Sequence, residues 1–387
     1  MKKYIFIILI VLVVFHSNTI FAENTVNIDS VIKEQESSFG IKDFLKSAEK
    51  YNLGENTKDL NISEMYNSAV SGNIDNKRLL NSFIKISGIQ FKECIKIFIN
   101  ILIIVLIHSI LKSVVDGLDN NGQVSNIVYY VQYILIITII MSSFSNLISD
   151  INETIKNLAD FANTLIPLLI SLLIFTGNLA TSSMVQPILL LLIEIITEFI
   201  KIVILPIISI ITVFIILSKI SDKVQINKIS SFMKSSVVWT LGIVLTFFIG
   251  FLSLEGTLTA SVDGITAKTT KAAVSSLIPV VGKILGDGVD SILGCAVVLK
   301  NAVGVIGVII IIGICINPII KVAFFSIMYS LLSAIIEPIS DKKISNLLQE
   351  MSSVFKLLFG VLCTVATLLI IGITIVIKIS NSGMMYR

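Results

Sequence analysis

Charge is scarce in this chain. Asp, Glu, Lys and Arg make up 14% of its 387 residues, against about a quarter in soluble globular domains. That scarcity excludes an ordinary water-soluble enzyme. The net charge is only +3, too small for an electrostatic nucleic-acid surface. Histidine is nearly absent: His16 and His108 lie far apart, so no zinc site can be assembled from them. The four cysteines (Cys94, Cys295, Cys315, Cys363) form no CxxC pair. They read as small apolar core residues rather than metal ligands or a disulfide framework. HExxH, a nucleophile elbow and a Walker loop are all missing. The run from Gly282 through Gly286 to Gly288 lacks the Lys-Ser/Thr ending that grips nucleotide phosphates. The sequence therefore predicts no catalytic residues, no cofactor and no metal.

What is present is apolar. Hydrophobic residues reach 55% and the mean hydropathy is +0.94. They come in runs of about 20, enough to cross a bilayer as helix. A transmembrane barrel would alternate over segments of about ten residues, and runs such as Ile101 to Ile107 do not alternate. The predicted fold is an all-α polytopic membrane protein. Two N-terminal transmembrane helices precede two parallel internal repeats, each of about four helical segments, some of them open to a re-entrant reading.

The repeats are read from an echo. Ile166-Pro167 and Leu205-Pro206 recur as Ile278-Pro279 and Asn317-Pro318, with both proline pairs offset by 112 residues. Each copy then meets Ile-Ser-Asp-Lys, at Ile220–Lys223 and Ile339–Lys342. Only six prolines exist in the chain, so four in register argue for duplication.

At the amino end, Lys2 and Lys3 precede an apolar core over Ile5–Phe15 and a polar stretch ending at Ala22. That pattern predicts a secretory signal over 1–22, cut between Ala22 and Glu23; an uncleaved anchor helix is the rival reading. Residues 23–91 come next as an extracytoplasmic region. There Val31, Ile32, Phe39, Ile41, Phe44, Leu45 and Ala48 recur at helical spacing, predicting two or three short amphipathic helices. Asn52-Leu53-Gly54 reads as a helix stop.

Residues 92–149 hold the first two spans, about Lys92–Lys112 and Ile127–Ile148, linked through a turn at Asp119–Gly122. Repeat 1 occupies 150–256, with segments near 161–176, 185–204, 206–217 and 237–254. Repeat 2 occupies 257–387, with segments near 272–285, 291–316, 318–336 and 354–377. Lys219, Lys223, Lys228 and Lys234 face Asp222 alone, a basic bias that marks a cytoplasmic loop. Counting spans from an outside amino end puts that loop and Asp341-Lys342-Lys343 on one side, and the carboxyl end outside.

Two groups of residues stand out. Glu194, Glu198 and Lys201 share one helical face in an apolar run. Charge facing lipid is costly, so the face is expected to point inward, as an ion or proton pathway or as a buried polar clasp; Lys201 also reads as a membrane boundary marker. Lys300-Asn301 interrupts another apolar run, with Glu255 and Asp263 as possible partners for the lysine. Gly294, Gly304, Gly307 and Gly313 lie along that segment and predict close helix packing. The stretch containing Pro279, Gly282, Gly286, Asp287 and Asp290 is too polar for lipid on all sides. It fits either an interfacial helix or a broken, re-entrant element.

The stretch Ile278-Pro-Val-Val-Gly282, Gly286-Asp-Gly-Val-Asp290, Leu299-Lys-Asn-Ala-Val-Gly304 resembles the stage III sporulation protein AE family. Leu165-Ile-Pro167 ahead of Gly177, Gln186-Pro187, Trp239-Thr-Leu-Gly242, Leu254-Glu-Gly256, Asp263, Lys268 to Lys271 and Glu337-Pro-Ile-Ser-Asp341 agree with it. The resemblance implies a mother-cell membrane protein of endospore formation. It implies as partners the other products of an eight-protein operon and a forespore-side protein, together forming a transenvelope channel complex. It carries no catalytic residues. On this footing two functions are open: a non-enzymatic subunit of that complex, or a stand-alone permease for a small solute that uses the Glu194/Glu198/Lys201 face.

Overall fold

The computed structural model describes residues 28–51, 62–72, 76–116, 123–176, 178–220, 226–277 and 281–384. The expected signal cut (Ala22, Glu23), the Asn52–Gly54 stop, the Asp119–Gly122 turn and Pro279 lie outside the described residues, as do the side chains of 254–291 with Glu255 and Asp263 among them. All regular structure among the described residues is helical: α1 (Ile28–Ser38), α2 (Ile41–Glu49), α3 (Ile62–Val70), α4 (Asn76–Asp116), α5 (Gln123–Phe175), α6 (Leu179–Phe199), a π-turn (Ile200–Ile204), α7 (Leu205–Ile220), α8 (Asn227–Leu277), α9 (Val281–Ile336) and α10 (Lys342–Met384).

Six stretches among the described residues are long and apolar enough to cross a membrane: Asn81–Leu111, Tyr129–Phe175, Ser182–Ile220, Asn227–Ser253, Ile292–Ile336 and Lys342–Lys378. The sequence suggested ten shorter segments. The difference has a physical cause at each join. The polar link 149–160 carries Ile151, Ile155 and Leu158, all fully buried. Their i, i+4, i+7 spacing is one helical face, so packing keeps the link helical and fuses the second span with the segment after it. Pro206 does not separate its two flanking segments either. Proline has no N–H to give, and the chain answers with one wide π-turn, the Leu205 amide donating to the Ile200 carbonyl. Pro318 sits inside α9 without such a turn, so the two copies of the echo differ in local geometry.

The two longest-packed partners are α9 and α10, an antiparallel pair at the centre. Gly304 leaves the room that Ile377 fills: a Cβ there would stand 2.2 Å from Ile377 Cδ1. Gly307 does the same for Leu165 of α5 at 2.4 Å. Farther along, Ser333 donates to the Ser345 carbonyl (2.8 Å) and Ser352 to the Ser326 carbonyl (2.7 Å). Beside the Ser326–Ser352 pair, Phe325 and Tyr329 both pack edge-on against Phe355.

The contacts fix which helix ends lie together. Tyr129 donates to the Lys219 carbonyl (3.1 Å) and Tyr133 to the Ile216 carbonyl. Lys343 lies over the Tyr129 ring, 6.0 Å from its centroid. His108 Nε2 stands 3.6 Å from Asp341 Oδ2, and Lys234 pairs with Glu350. The basic stretches around Lys219 and Lys343 therefore share one end of the bundle, as the span count requires.

The amphipathic helices close the opposite end. Gly40, at φ 65°, takes the left-handed turn between α1 and α2. Ile41, Phe44, Leu45 and Ala48 of α2 are buried. Phe39 packs edge-on against Phe175 (5.1 Å), and Tyr51 against Phe161 (5.6 Å). Gln35 donates to the Ile292 carbonyl at the start of the α9 span. Burial, with the Glu36 carboxylate beside it, raises the Tyr66 hydroxyl pKa far above its ordinary value.

Candidate functional site

The predicted acidic face is built, but it points outward. Glu194 and Glu198 are exposed on α6, and Lys201 is half-buried in the π-turn, 2.9 Å from Glu198. The inward expectation assumed that this level of the helix sits deep in lipid. Height along the bundle shows why outward charge is tolerable. From the Tyr133–Ile216 contact, Lys201 lies about 22 Å along its helix, and Asp150 about 25 Å along α5. From the His108–Asp341 contact, Glu93, Lys321 and Lys356 each lie about 22 Å away. These charges form a belt near one hydrocarbon thickness, about 30 Å, from the basic end. Charged side chains collect where a bilayer meets water.

Lys300 and Asn301 are elsewhere. Lys300 has no exposed surface, and its ammonium donates to the Ile377 carbonyl at 2.7 Å. Among the described residues no carboxylate lies within ion-pair distance of it. The neighbouring Asn301 Oδ1 is buried without a hydrogen-bond partner. The two predicted groups thus sit on different helices without touching. Gly282, Gly286, Asp287 and Asp290 belong by backbone to the first turns of α9, and their side chains lie outside the described residues.

A third constellation escaped the sequence reading. Lys321 of α9 binds Asp150 of α5 (2.9 Å) and approaches Glu93 of α4 (3.6 Å). One turn above, Gln90 donates to Asn317 Oδ1 at 2.6 Å. Beside this triad a cavity of about 350 Å³ opens between α4, α5 and α9; its polar lining is Glu93, Thr138, Ser142, Ser143, Asn146 and Lys321. A lone Lys321 in an apolar run was the available signal. Its partners come from helices about 170 and 230 residues away in the chain, which no local pattern could supply.

Among the described residues no three His, Cys, Asp or Glu side chains converge to hold a metal ion. The geometry offers instead polar surface on an apolar bundle, in two places: the Glu194/Glu198/Lys201 face and the α4/α5/α9 cavity. No solved structure matches the chain. It is 28% identical over 286 residues to the stage III sporulation protein AE of Bacillus subtilis (strain 168), covering 74% of this chain and 72% of that one. The model of the family described as stage III sporulation protein AE matches residues 60–380, and the chain belongs to that family.

Proposed function

We propose that this sporulation-family membrane protein is a non-enzymatic subunit of a transenvelope channel complex needed for endospore formation, supporting transport between mother cell and forespore. It sits in the mother-cell membrane around the forespore, with the Lys219 and Lys343 end in the cytoplasm and residues 23–91 in the space between the membranes. Its partners are the other products of the stage III sporulation A operon and a forespore-side protein. The two stretches 150–256 and 257–387 act as like-oriented arms of one membrane bundle.

The observation that carries this reading is polar surface turned outward from an apolar bundle. Glu194 and Glu198 stand exposed beside Lys201 at the level of the belt, where side chains of neighbouring subunits can reach them. The outward direction of Glu194 and Glu198 also weighs against a stand-alone permease built around that face. The test is replacement of Glu194 and Glu198 by Gln and Lys201 by Ala in sporulating cells. Lost co-assembly with the operon partners and lost heat-resistant spores are expected. Full assembly with a selective loss of solute uptake would return the permease.

A further inference from the structure

The cavity between α4, α5 and α9 has no role in the proposed assembly. On α5, Thr138, Ser142, Ser145, Asn146 and Ser149 all face outward and are exposed. They run for about 18 Å from Thr138 to Asp150, inside the layer between the basic end and the charged belt. Their neighbours at the same depth are of another kind: Ile210 and Trp239 are exposed at 45% and 73% on apolar faces. The cavity deepens this stripe to about 350 Å³, room for roughly ten waters at about 30 Å³ each. At its belt end stand Glu93 and Asp150, exposed at 51% and 42%, on either side of Lys321 at 17%. Two carboxylates against one ammonium leave a net negative mouth.

We propose that this groove is water-filled in the membrane and admits small hydrophilic cations from the belt side. Thr138 back-bonds to the Ile134 carbonyl (2.8 Å), but the Asn146 amide and the Ser142, Ser145 and Ser149 hydroxyls would lose their water to lipid; a water column keeps them solvated. The negative mouth concentrates cations over anions, as clefts lined by one sign of charge do. Lys321 holds the two carboxylates in place and limits the charge they present. The inference takes its purpose from the channel reading but is tested apart from it, because the measurement needs neither spores nor partner assembly.

The experiment is thiol accessibility in native membrane vesicles, on the full chain carrying Thr138→Cys, Ser142→Cys or Asn146→Cys. Each is read against the parent with its native cysteines, and Ile210→Cys and Trp239→Cys serve as lipid-facing controls at similar depth. The probes are a cationic (trimethylammonium) and an anionic (sulfonate) methanethiosulfonate. Both need a thiolate, which forms in water and not in lipid. With both probes the three groove positions should react faster than the controls, and the cationic probe should react about tenfold faster than the anionic one, the low end of electrostatic focusing. Lys321→Gln should widen that gap and Asp150→Asn should narrow it. Rates equal to the controls would mean the stripe faces lipid, and would overturn the groove. Silence towards both these probes would mean that the positions are dry, against lipid or protein, and would overturn it equally. An anionic probe as fast as the cationic one would refute the cation preference. Any of these failures would leave the proposed subunit role standing, since assembly is scored separately.

Discussion

Replacing Lys300 by Met should leave the protein as stable as before or make it more stable. The side chain is fully buried, and its ammonium meets one acceptor among the described residues, the Ile377 carbonyl at 2.7 Å. Losing that charge-assisted hydrogen bond costs about 1.5–3 kcal/mol. Removing the charge recovers a desolvation penalty of several kcal/mol. Ile377 lies within α10, so its carbonyl is not stranded when the ammonium goes. Methionine is nearly the same length and shape, so no cavity opens. The expected net change is a gain of about 0–4 kcal/mol. Lys300→Ala should behave oppositely, because it leaves a void beside Gly304 and Ile377, at a cost of about 2–5 kcal/mol. The assay is unfolding of the detergent-solubilised full chain by denaturant, monitored by circular dichroism of its helices. The predicted order is Met at or above the parent, with Ala well below it. A Met variant that loses more than about 2 kcal/mol would refute the reasoning, since a single carbonyl bond cannot supply that after desolvation is counted. A stable Met variant that no longer supports spore formation would instead make Lys300 a working residue.

Gly307→Leu should destabilise by about 1–3 kcal/mol through overpacking, because even a Cβ meets Leu165 Cδ2 at 2.4 Å; the same unfolding assay reads it. Ser333→Ala with Ser345→Ala should show a coupling of about 0.6 kcal/mol, the usual size for a polar pair between membrane helices, in a double-mutant cycle. Glu198→Gln should change stability by less than about 1 kcal/mol, since its pair with Lys201 is half-exposed; a larger loss would place that face in a buried contact. Thiol labelling of Lys228→Cys and Lys342→Cys should find both on one side of the membrane, and labelling from opposite sides would dissolve the shared basic end.

The broad architecture was open to a reader of the sequence. Runs of apolar residues settled the class, and the lysines at 219–234 and 342–343 anticipated the end that Tyr129, Tyr133 and His108 now tie together. The short amphipathic helices were visible in the spacing of Ile41, Phe44, Leu45 and Ala48. Helix continuity was not. A link such as 149–160 looks like a loop by polarity, and only the burial of Ile151, Ile155 and Leu158 reveals it as helix. Depth was hidden too. Whether Glu198 faces lipid or water depends on how far along a 39-residue stretch, Ser182–Ile220, the bilayer ends. That distance is set by contacts such as Tyr133 to Ile216, whose partners are far apart in sequence.

The π-turn at Ile200–Ile204 has one more consequence. It holds one residue more than a regular α-helical turn would, so it resets the phase between α6 and α7. Closing this turn into an unbroken α-helix with every residue kept would look harmless in any propensity profile. It would also rotate α6 by about 100° relative to α7. Glu194 and Glu198 would swing towards the space now filled by Leu189, Ile193 and Ile196, and those aliphatics would turn outward. The wide turn therefore works as a keyway that sets the azimuth of the acidic side chains.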